Sequence, residues 1–271
     1  MPPPPPARAA LLPVLLMAAL GGCATAKNPR DPLEPLNRAV YSVNEMIDTV
    51  ALKPAAYIYT GVVPPPVRGG VTSFFGNFRD VTTAINNLLQ FKLKAAASDV
   101  GRIFINSTVG ILGVFDVATR LGLEKHQEDF GQTLGYWGMG DGPFLMLLLL
   151  GPSNVRDTIG WVGDYFTDPQ FYLFTEPPEN WIVLTTRLVN VRANLLPADR
   201  LLELTPDRYT FLREAFLQRR LNLIYDGNPP GGPTGGSGSP SRKTLKEMEE
   251  EFLEDDAPGQ PTAPAQDSAP K

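Results

Sequence analysis

Chemistry in this 271-residue sequence has few places to happen. Residues 124–129, Glu-Lys-His-Gln-Glu-Asp, set His126 among Glu124, Glu128 and Asp129. A general base needs a nucleophile and an orienting partner, and no motif supplies them. With one His and one Cys in the chain, a Cys/His metal centre has too few ligands. His126 therefore reads as a solvated loop residue and the carboxylates as a solvated face. Residues 138–143, Gly-Met-Gly-Asp-Gly-Pro, look like a phosphate loop but lack the preceding strand, the long following helix and the lysine. There is no Gly-x-Ser-x-Gly elbow. Arg156 and Asp157 read as structural ion pairing. No catalytic residue, metal or cofactor is assigned, which leaves only a carboxylate-only site for an enzyme. A net charge of −5 offers no footprint for nucleic acid.

Cys23 carries the clearest chemistry. Arg8 supplies a short positive region, residues 9–20 are apolar, and Leu20-Gly21-Gly22 precede the cysteine. The apolar stretch is too short to span a bilayer and reads as a secretory signal, 1–22. Leu-x-Gly-Cys resembles the lipobox of bacterial lipoproteins. That resemblance implies cleavage before Cys23, a diacylglycerol on its sulfur and a third chain on the new amino group. Each buried CH₂ adds about 0.8 kcal/mol, so such an anchor is effectively permanent. Ala24 in place of Asp favours the outer membrane in the sorting pattern this resembles.

The elements that follow are mainly helical. After a tether over 23–30, Leu36, Val40, Val43, Ile47 and Val50 share a helical face that Pro54 is expected to end. Val67, Val71, Phe74, Phe78, Val81, Ile85 and Leu88 predict a long helix from Pro66, interrupted by Gly69, Gly70 and Gly76. Leu93, Ala97, Val100 and Phe104 predict another, and Ile111, Phe115 and Ala118 a short one. Residues 124–142 read as a glycine-rich loop. Helix resumes over 153–166 (Val155, Ile159, Val162, Phe166) and again with Trp181, Leu184, Leu188, Val191 and Leu195. Thr205-Pro206 reads as the cap of a last helix, with Leu212, Phe216 and Leu223 inward, stopped by Gly227. No run of alternating strands is evident. One domain over 31–226 is expected, and the Gly/Pro-rich and acidic segment 227–271 reads as mostly disordered.

One stretch resists this scheme. Phe144, Leu145, Met146, Leu147, Leu148, Leu149 and Leu150 form an unbroken apolar run between Gly142-Pro143 and Gly151-Pro152. As a helix it rises about 11 Å, against a hydrocarbon core of about 30 Å. It cannot cross a membrane. With Tyr136 and Trp137 beside it, it fits a membrane boundary.

Several blocks then coincide: "DPLEPLNRAVYSVNEMID", "GNFRDVTTAINNLLQFK", "GRIFINSTVGILGVFDVA", "EDFGQTLGYWGMGDGPFLMLLLLGPSNVRDTIGWVGDYF" and "DRYTFLREAFLQRR". In this order, after a lipobox, they resemble the MlaA (VacJ) family of outer-membrane lipoproteins over residues 31–225. The resemblance implies a single-domain ring of amphipathic helices in the periplasmic leaflet, with a central amphipathic channel. It implies removal of mislocalised phospholipids from the outer leaflet, maintaining lipid asymmetry. It implies a soluble periplasmic lipid carrier and a trimeric porin as partners, and no enzymatic activity. The apolar run 144–150 would then be the lipid-facing wall. Tyr136, Trp137, Gly138, Gly140 and Gly142 would form the channel-edge loop. Asn77, Asn86 and Asn87 would lie near a polar lumen. The family often has a proline near Leu148, where this chain has leucine. A structural lipoprotein bracing a porin, or an envelope phospholipase, are the competing readings.

Overall fold

A computed structural model describes residues 30–229. The expected signal segment, Cys23 and nearly all of the C-terminal tail lie outside the described residues.

The fold is mainly helical. Helix α1 (Glu34–Ile47) runs through a π-helical segment (Asp48–Leu52) into α2 (Lys53–Val62). Then come α3 (Pro65–Leu89), α4 (Leu93–Thr108), the short α5 (Val117–Arg120) and α6 (Phe130–Tyr136). A hairpin of β1 (Phe144–Leu147) and β2 (Gly151–Asn154) precedes α7 (Val155–Tyr165), α8 (Gln170–Leu173), α9 (Glu179–Leu195), α10 (Asp199–Glu203) and α11 (Arg208–Ile224).

Four local expectations are corrected. Pro54 does not end the first helix. The wider π turn, with Lys53 N–H on the Asp48 carbonyl, lets Pro54 fall in the first turn of α2, where its missing N–H costs nothing. Ile111 and Phe115 form no helix; Ile111 and Leu112 are left-handed, at φ 52° and 55°, in an exposed loop. Residues 124–142 are not all loop, because Asp129 caps α6 by accepting from Gln132 N–H at 2.9 Å. Asp207, not Thr205, caps the last helix, accepting from Thr210 N–H at 3.2 Å.

The larger correction concerns which helix faces point inward. Among the described residues, buried polar side chains outnumber buried apolar ones by more than two to one. The apolar faces read from the sequence are turned out instead. Leu36, Val43 and Val50 of the first face are exposed, as are Leu93, Val100 and Phe104 of α4. So are Ile159 and Val162 of α7, and Trp181 and Leu195 of α9. Water-soluble proteins leave apolar residues singly on the surface; whole helix faces mark contact with something apolar.

Polar stripes do the internal packing. In α3 the buried residues include Asn77, Asp80, Thr83 and Asn87, at spacings of three and four. In α4 they are Ala96, Asp99, Arg102 and Asn106. The two stripes meet: Asn87 Nδ2 donates to Asp99 at 2.7 Å, Arg102 Nε to Asp80 at 3.3 Å, and Asn77 Nδ2 to the Ser107 hydroxyl at 2.9 Å. Arg102 has no exposed surface, and it also donates to Asp116, Thr119 and the Leu123 carbonyl. Burial raises the Asp116 carboxyl, but hydrogen bonds from Thr119, Arg102 and Asn106 outweigh it and pull its pKa down to about 2.

The hairpin is pinned by α1. Phe144 pairs with Asn154 and Leu147 with Gly151, in antiparallel register. Two asparagines seven residues apart on α1 take the other edge. Asn37 donates to the Phe144 carbonyl at 3.0 Å and accepts from Met146 N–H at 2.9 Å. Asn44 donates to the Leu147 carbonyl at 2.9 Å and accepts from Leu149 N–H at 2.8 Å. Asp31 ties this end to α11, accepting from Asn37, from the Tyr209 hydroxyl at 2.5 Å and from Arg213 at 2.9 Å. Helices α6 and α7 pack backbone to backbone, since a Cβ at Gly160 would strike the Gly131 main chain. Among the described residues, no helix is long and apolar enough to cross a membrane.

Candidate functional site

Helices from α3 to α11 wall a cavity of about 530 Å³. Two chemistries meet in its lining. Trp161 and Tyr165 of α7, Leu184, Leu188 and Val191 of α9, Phe216 and Leu223 of α11, and Leu150 at the hairpin are apolar. Arg79 and Thr82 of α3, Asp164 of α7, Asp168, Gln170 of α8, Arg187 of α9, and Arg219 and Arg220 of α11 are polar or charged, as are Gln127, Glu128, Asp129 and Gln132. The inversion of the helices explains the mixture. Arg79 and Thr82, beside the polar stripe of α3, meet the apolar Leu184, Leu188 and Val191 of α9 across the cavity.

The charges divide into tied and free. Arg220 is held by Asp129 at 2.5 Å and Asp157 at 2.8 Å, and Asp157 also accepts from Arg156. Arg187 donates to Asp168 at 2.8 Å and Gln170 at 2.6 Å. Glu128 accepts from Gln90 at 2.9 Å and Lys92 at 3.0 Å. Arg219 reaches only the Gln127 side chain, at 3.4 Å. Arg79 makes no hydrogen bond or ion pair in the described chain, although it is open to solvent. Partial desolvation by the surrounding cavity walls, then the positive charges of Arg187 and Arg219, lower its pKa against the attraction of Asp168 and Asp80.

Asp164 is the strongest electrostatic anomaly. One oxygen accepts from Phe130 N–H at 2.9 Å and Asn86 Nδ2 at 3.3 Å. Among the described residues, no cation stands within ion-pair distance of it. Burial, reinforced by the negative charge of Asp129, pushes its carboxyl up to about 7 against those hydrogen bonds and Arg220. It is half ionised near neutrality.

A cavity that is part apolar and part charged, inside helices whose apolar faces point outward, suits an amphiphile. The comparisons with known proteins agree. The MlaA lipoprotein family matches residues 29–223. The chain belongs to the MlaA lipoprotein family. The intermembrane phospholipid transport system lipoprotein MlaA of Escherichia coli K12 is 33% identical over 210 residues, covering 74% of this chain and 82% of that one. An uncharacterized protein of Rickettsia bellii is 34% identical over 203 residues, covering 74% of this chain and 78% of the relative. A structure solved in work on the structural basis for maintenance of bacterial outer membrane lipid asymmetry superposes with a TM-score of 0.64. It is 30% identical, and the match covers 73% of this chain and 99% of that chain.

Within this member of the MlaA family, the residues expected at the site are distributed differently. The apolar run 144–150 is a hairpin strand and its turn, not one surface. Phe144 and Met146 are buried against Tyr209, and Phe144 also stacks edge-on with Phe216; they are core, because β1 alternates its side chains. Leu145 and Leu147 are half-buried. Leu148, Leu149 and Leu150 are more than half exposed at the turn, and Leu150 reaches the cavity. The chain bends there without proline, through Leu149 at φ 64° and Gly151 at φ 84°.

Asn77, Asn86 and Asn87 are not part of this cavity's lining. All three are buried in the polar contacts between helices. Asn86 stands one layer behind the cavity, accepting from the Thr133 hydroxyl at 2.7 Å while it donates to Asp164. Tyr136, Trp137, Gly138, Gly140 and Gly142 form an exposed segment that is not part of the cavity lining. Gly138 and Gly142 take φ of 93° and 67°, so their turns do need glycine. His126 is not a free loop residue: its Nδ1 lies 2.9 Å from Asp99. Nor is Glu128 solvated, being buried with Gln90 and Lys92.

Arg79, Asp164, Arg187 and Arg219 went unnoticed in the sequence. A signal was present. Arg79 stands beside Asp80 in a long helix with few charges, and Asp164 follows Asp157 by two helical turns.

Proposed function

We propose that this chain is an outer-membrane lipoprotein that takes mislocalised phospholipids from the outer leaflet and passes them inward, maintaining lipid asymmetry. The observation that carries this reading is the inverted amphipathicity of the fold: apolar helix faces outside and a part-charged, part-apolar cavity within. The exposed faces suit residence in one leaflet, because no described helix is built to span. Cys23, triacylated, would hold the protein at the periplasmic leaflet. The exposed leucine turn 148–150 beside the cavity would keep contact with acyl chains. A phospholipid would pass with its headgroup among the charged residues and its tails on the Trp161, Leu184 and Leu188 wall. Nothing in this passage requires bond cleavage, so the protein acts as a conduit and not as a hydrolase. Direction would come from leaflet asymmetry and from a soluble periplasmic carrier that accepts the lipid; a trimeric porin would be the outer-membrane partner.

The test is deletion of the gene in its own bacterium, with surface-exposed phospholipid quantified. Complementation uses the wild type and Cys23→Ala. Surface phospholipid should rise on deletion and return to baseline only with the acylated protein. An unchanged outer leaflet with a weakened envelope would overturn transport and point to a bracing role. Fatty-acid release from vesicles by the purified protein would point to a phospholipase.

A further inference from the structure

The four arginines of the cavity are not equivalent. Arg187 and Arg220 are each committed to carboxylates, as described above. Among the described residues Arg79 makes no hydrogen bond or ion pair, its nearest opposite charges being Asp168 and Asp80, and Arg219 has a long contact to the neutral Gln127. Two guanidiniums therefore line the cavity without a carboxylate ion pair, and the positive charges of Arg187 and Arg219 act on Arg79. A bound anion relieves that repulsion. Guanidinium forks match a phosphodiester in geometry and charge.

The acids divide in the same way. Asp168 is matched by Arg187, Glu128 by Lys92, and Asp129 by Arg220. Asp164 is left without a cation. Its first oxygen is fixed by Phe130 N–H and Asn86. Its second makes no hydrogen bond and is not among the sealed, unpartnered polar atoms, so it opens to the cavity that Asp164 lines. The groups that face Asp164 are Asn86, the Phe130 amide, Asp129 and Arg220, and the last two are paired to each other. The cavity thus offers two unmatched cations and one unmatched carboxylate beside an apolar wall.

We propose that Arg79, with Arg219, takes the phosphodiester of a zwitterionic lipid headgroup, and that the open oxygen of Asp164 takes its ammonium group. The cavity then selects phosphoethanolamine-type headgroups over anionic ones. This rests on the phospholipid-transport reading and adds a headgroup preference and the residues that set it. An anionic lipid satisfies the arginines but leaves Asp164 facing a neutral or hydroxylated group, and loses a charge-assisted hydrogen bond.

The experiment uses the full acylated protein in nonionic detergent at pH 8, where the Asp164 carboxylate predominates. Acyl-labelled phosphatidylethanolamine or phosphatidylglycerol is added and bound lipid is counted. The wild type should prefer phosphatidylethanolamine by on the order of tenfold, the discrimination that one charge-assisted bond supplies. Arg79→Gln should lower binding of both lipids on the order of tenfold, while Arg79→Lys retains most of it. Asp164→Asn, which keeps the acceptor for Phe130 N–H, should lose the preference and leave phosphatidylglycerol binding unchanged. Thermal unfolding midpoints accompany each variant, and Arg79→Gln should match the wild type because Arg79 holds nothing in place. Glycerophosphoethanolamine, the same headgroup without acyl chains, should compete only weakly; efficient competition would make this a site for a soluble phosphodiester and overturn the lipid assignment. A folded Arg79→Gln protein that binds both lipids like the wild type, or an Asp164→Asn protein that keeps the preference, overturns the proposal while leaving transport intact. A wild type that binds neither lipid overturns the transport reading itself.

Discussion

Asn37 and Asn44 make the same pair of hydrogen bonds to the hairpin, two helical turns apart, in different surroundings. Asn37 is buried, and its bonds to the Phe144 carbonyl and Met146 N–H lie in the core with Tyr209. Asn44 is half-buried, and its bond from Leu149 N–H is exposed. Replacing Asn37 by the near-isosteric leucine leaves two buried backbone groups unpaired, at roughly 1–3 kcal/mol each, and also removes a donor to the buried Asp31, so the change costs at least about 2–6 kcal/mol. Water takes over the contacts of Asn44, so Asn44→Leu costs less than about 1 kcal/mol. For a domain of this size the first change lowers the unfolding midpoint on the order of 10 °C and the second by a few degrees at most. Denaturant unfolding of the acylated protein in detergent, followed by tryptophan fluorescence, measures both. Equal losses for the two variants would refute the reasoning, because the number of hydrogen bonds and not their burial would then set the cost.

Other outcomes follow from the same geometry. Asp164 has a folded-state pKa raised to about 7, so the folded protein binds more protons than the unfolded chain, and stability falls as pH rises from about 4 to about 7. Asp164→Asn should therefore raise the unfolding midpoint over wild type at pH 8, and the gain should shrink toward pH 5; a constant difference would count against the assignment. Gly160→Ala should destabilise by about 1–3 kcal/mol, since its Cβ meets the Gly131 backbone, whereas Gly69→Ala, which meets nothing, should stabilise α3 by about 0.5–1 kcal/mol. The opposite signs can be read from chemical denaturation midpoints. Leu149→Asp suits a left-handed φ and should leave folding intact. Its loss of exposed apolar surface should weaken vesicle binding of the Cys23→Ala protein by about 1.5–3 kcal/mol, measured by co-flotation; undiminished flotation would remove the turn from the membrane contact.

Much of the fold was legible because helical periodicity is local. The long α3, α4, α7, α9 and α11 were all visible as residues recurring at three and four. The inward side was not. In α3 the stripe from Val67 to Leu88 was as regular as any soluble core face, but its ends are exposed and Asn77, Asp80 and Asn87 are buried. The hairpin was missed for a related reason. Seven apolar residues hide the alternation that marks a strand, and it emerges only when Phe144 and Met146 turn one way and Leu145 and Leu147 the other. The asparagines of α3 stand out in the sequence, but not for the contacts they make. Their partners, Asp99 and Ser107 on α4 and Asp164 on α7, are distant enough in sequence that no spacing rule announces them.

What the sequence determined by itself was the set of amphipathic helices and the ordered motifs of the MlaA family, since each depends on neighbours a few residues apart. Tertiary structure alone decided which face of each helix is the inside. Amphipathicity specifies two faces but not the medium each one meets, and here the buried ion pairs and amide bonds hold the polar faces together. It also decided that Arg79, Arg219 and Asp164, spread over 140 residues on three helices, stand unmatched around one cavity, because charge pairing is settled only when distant helices pack.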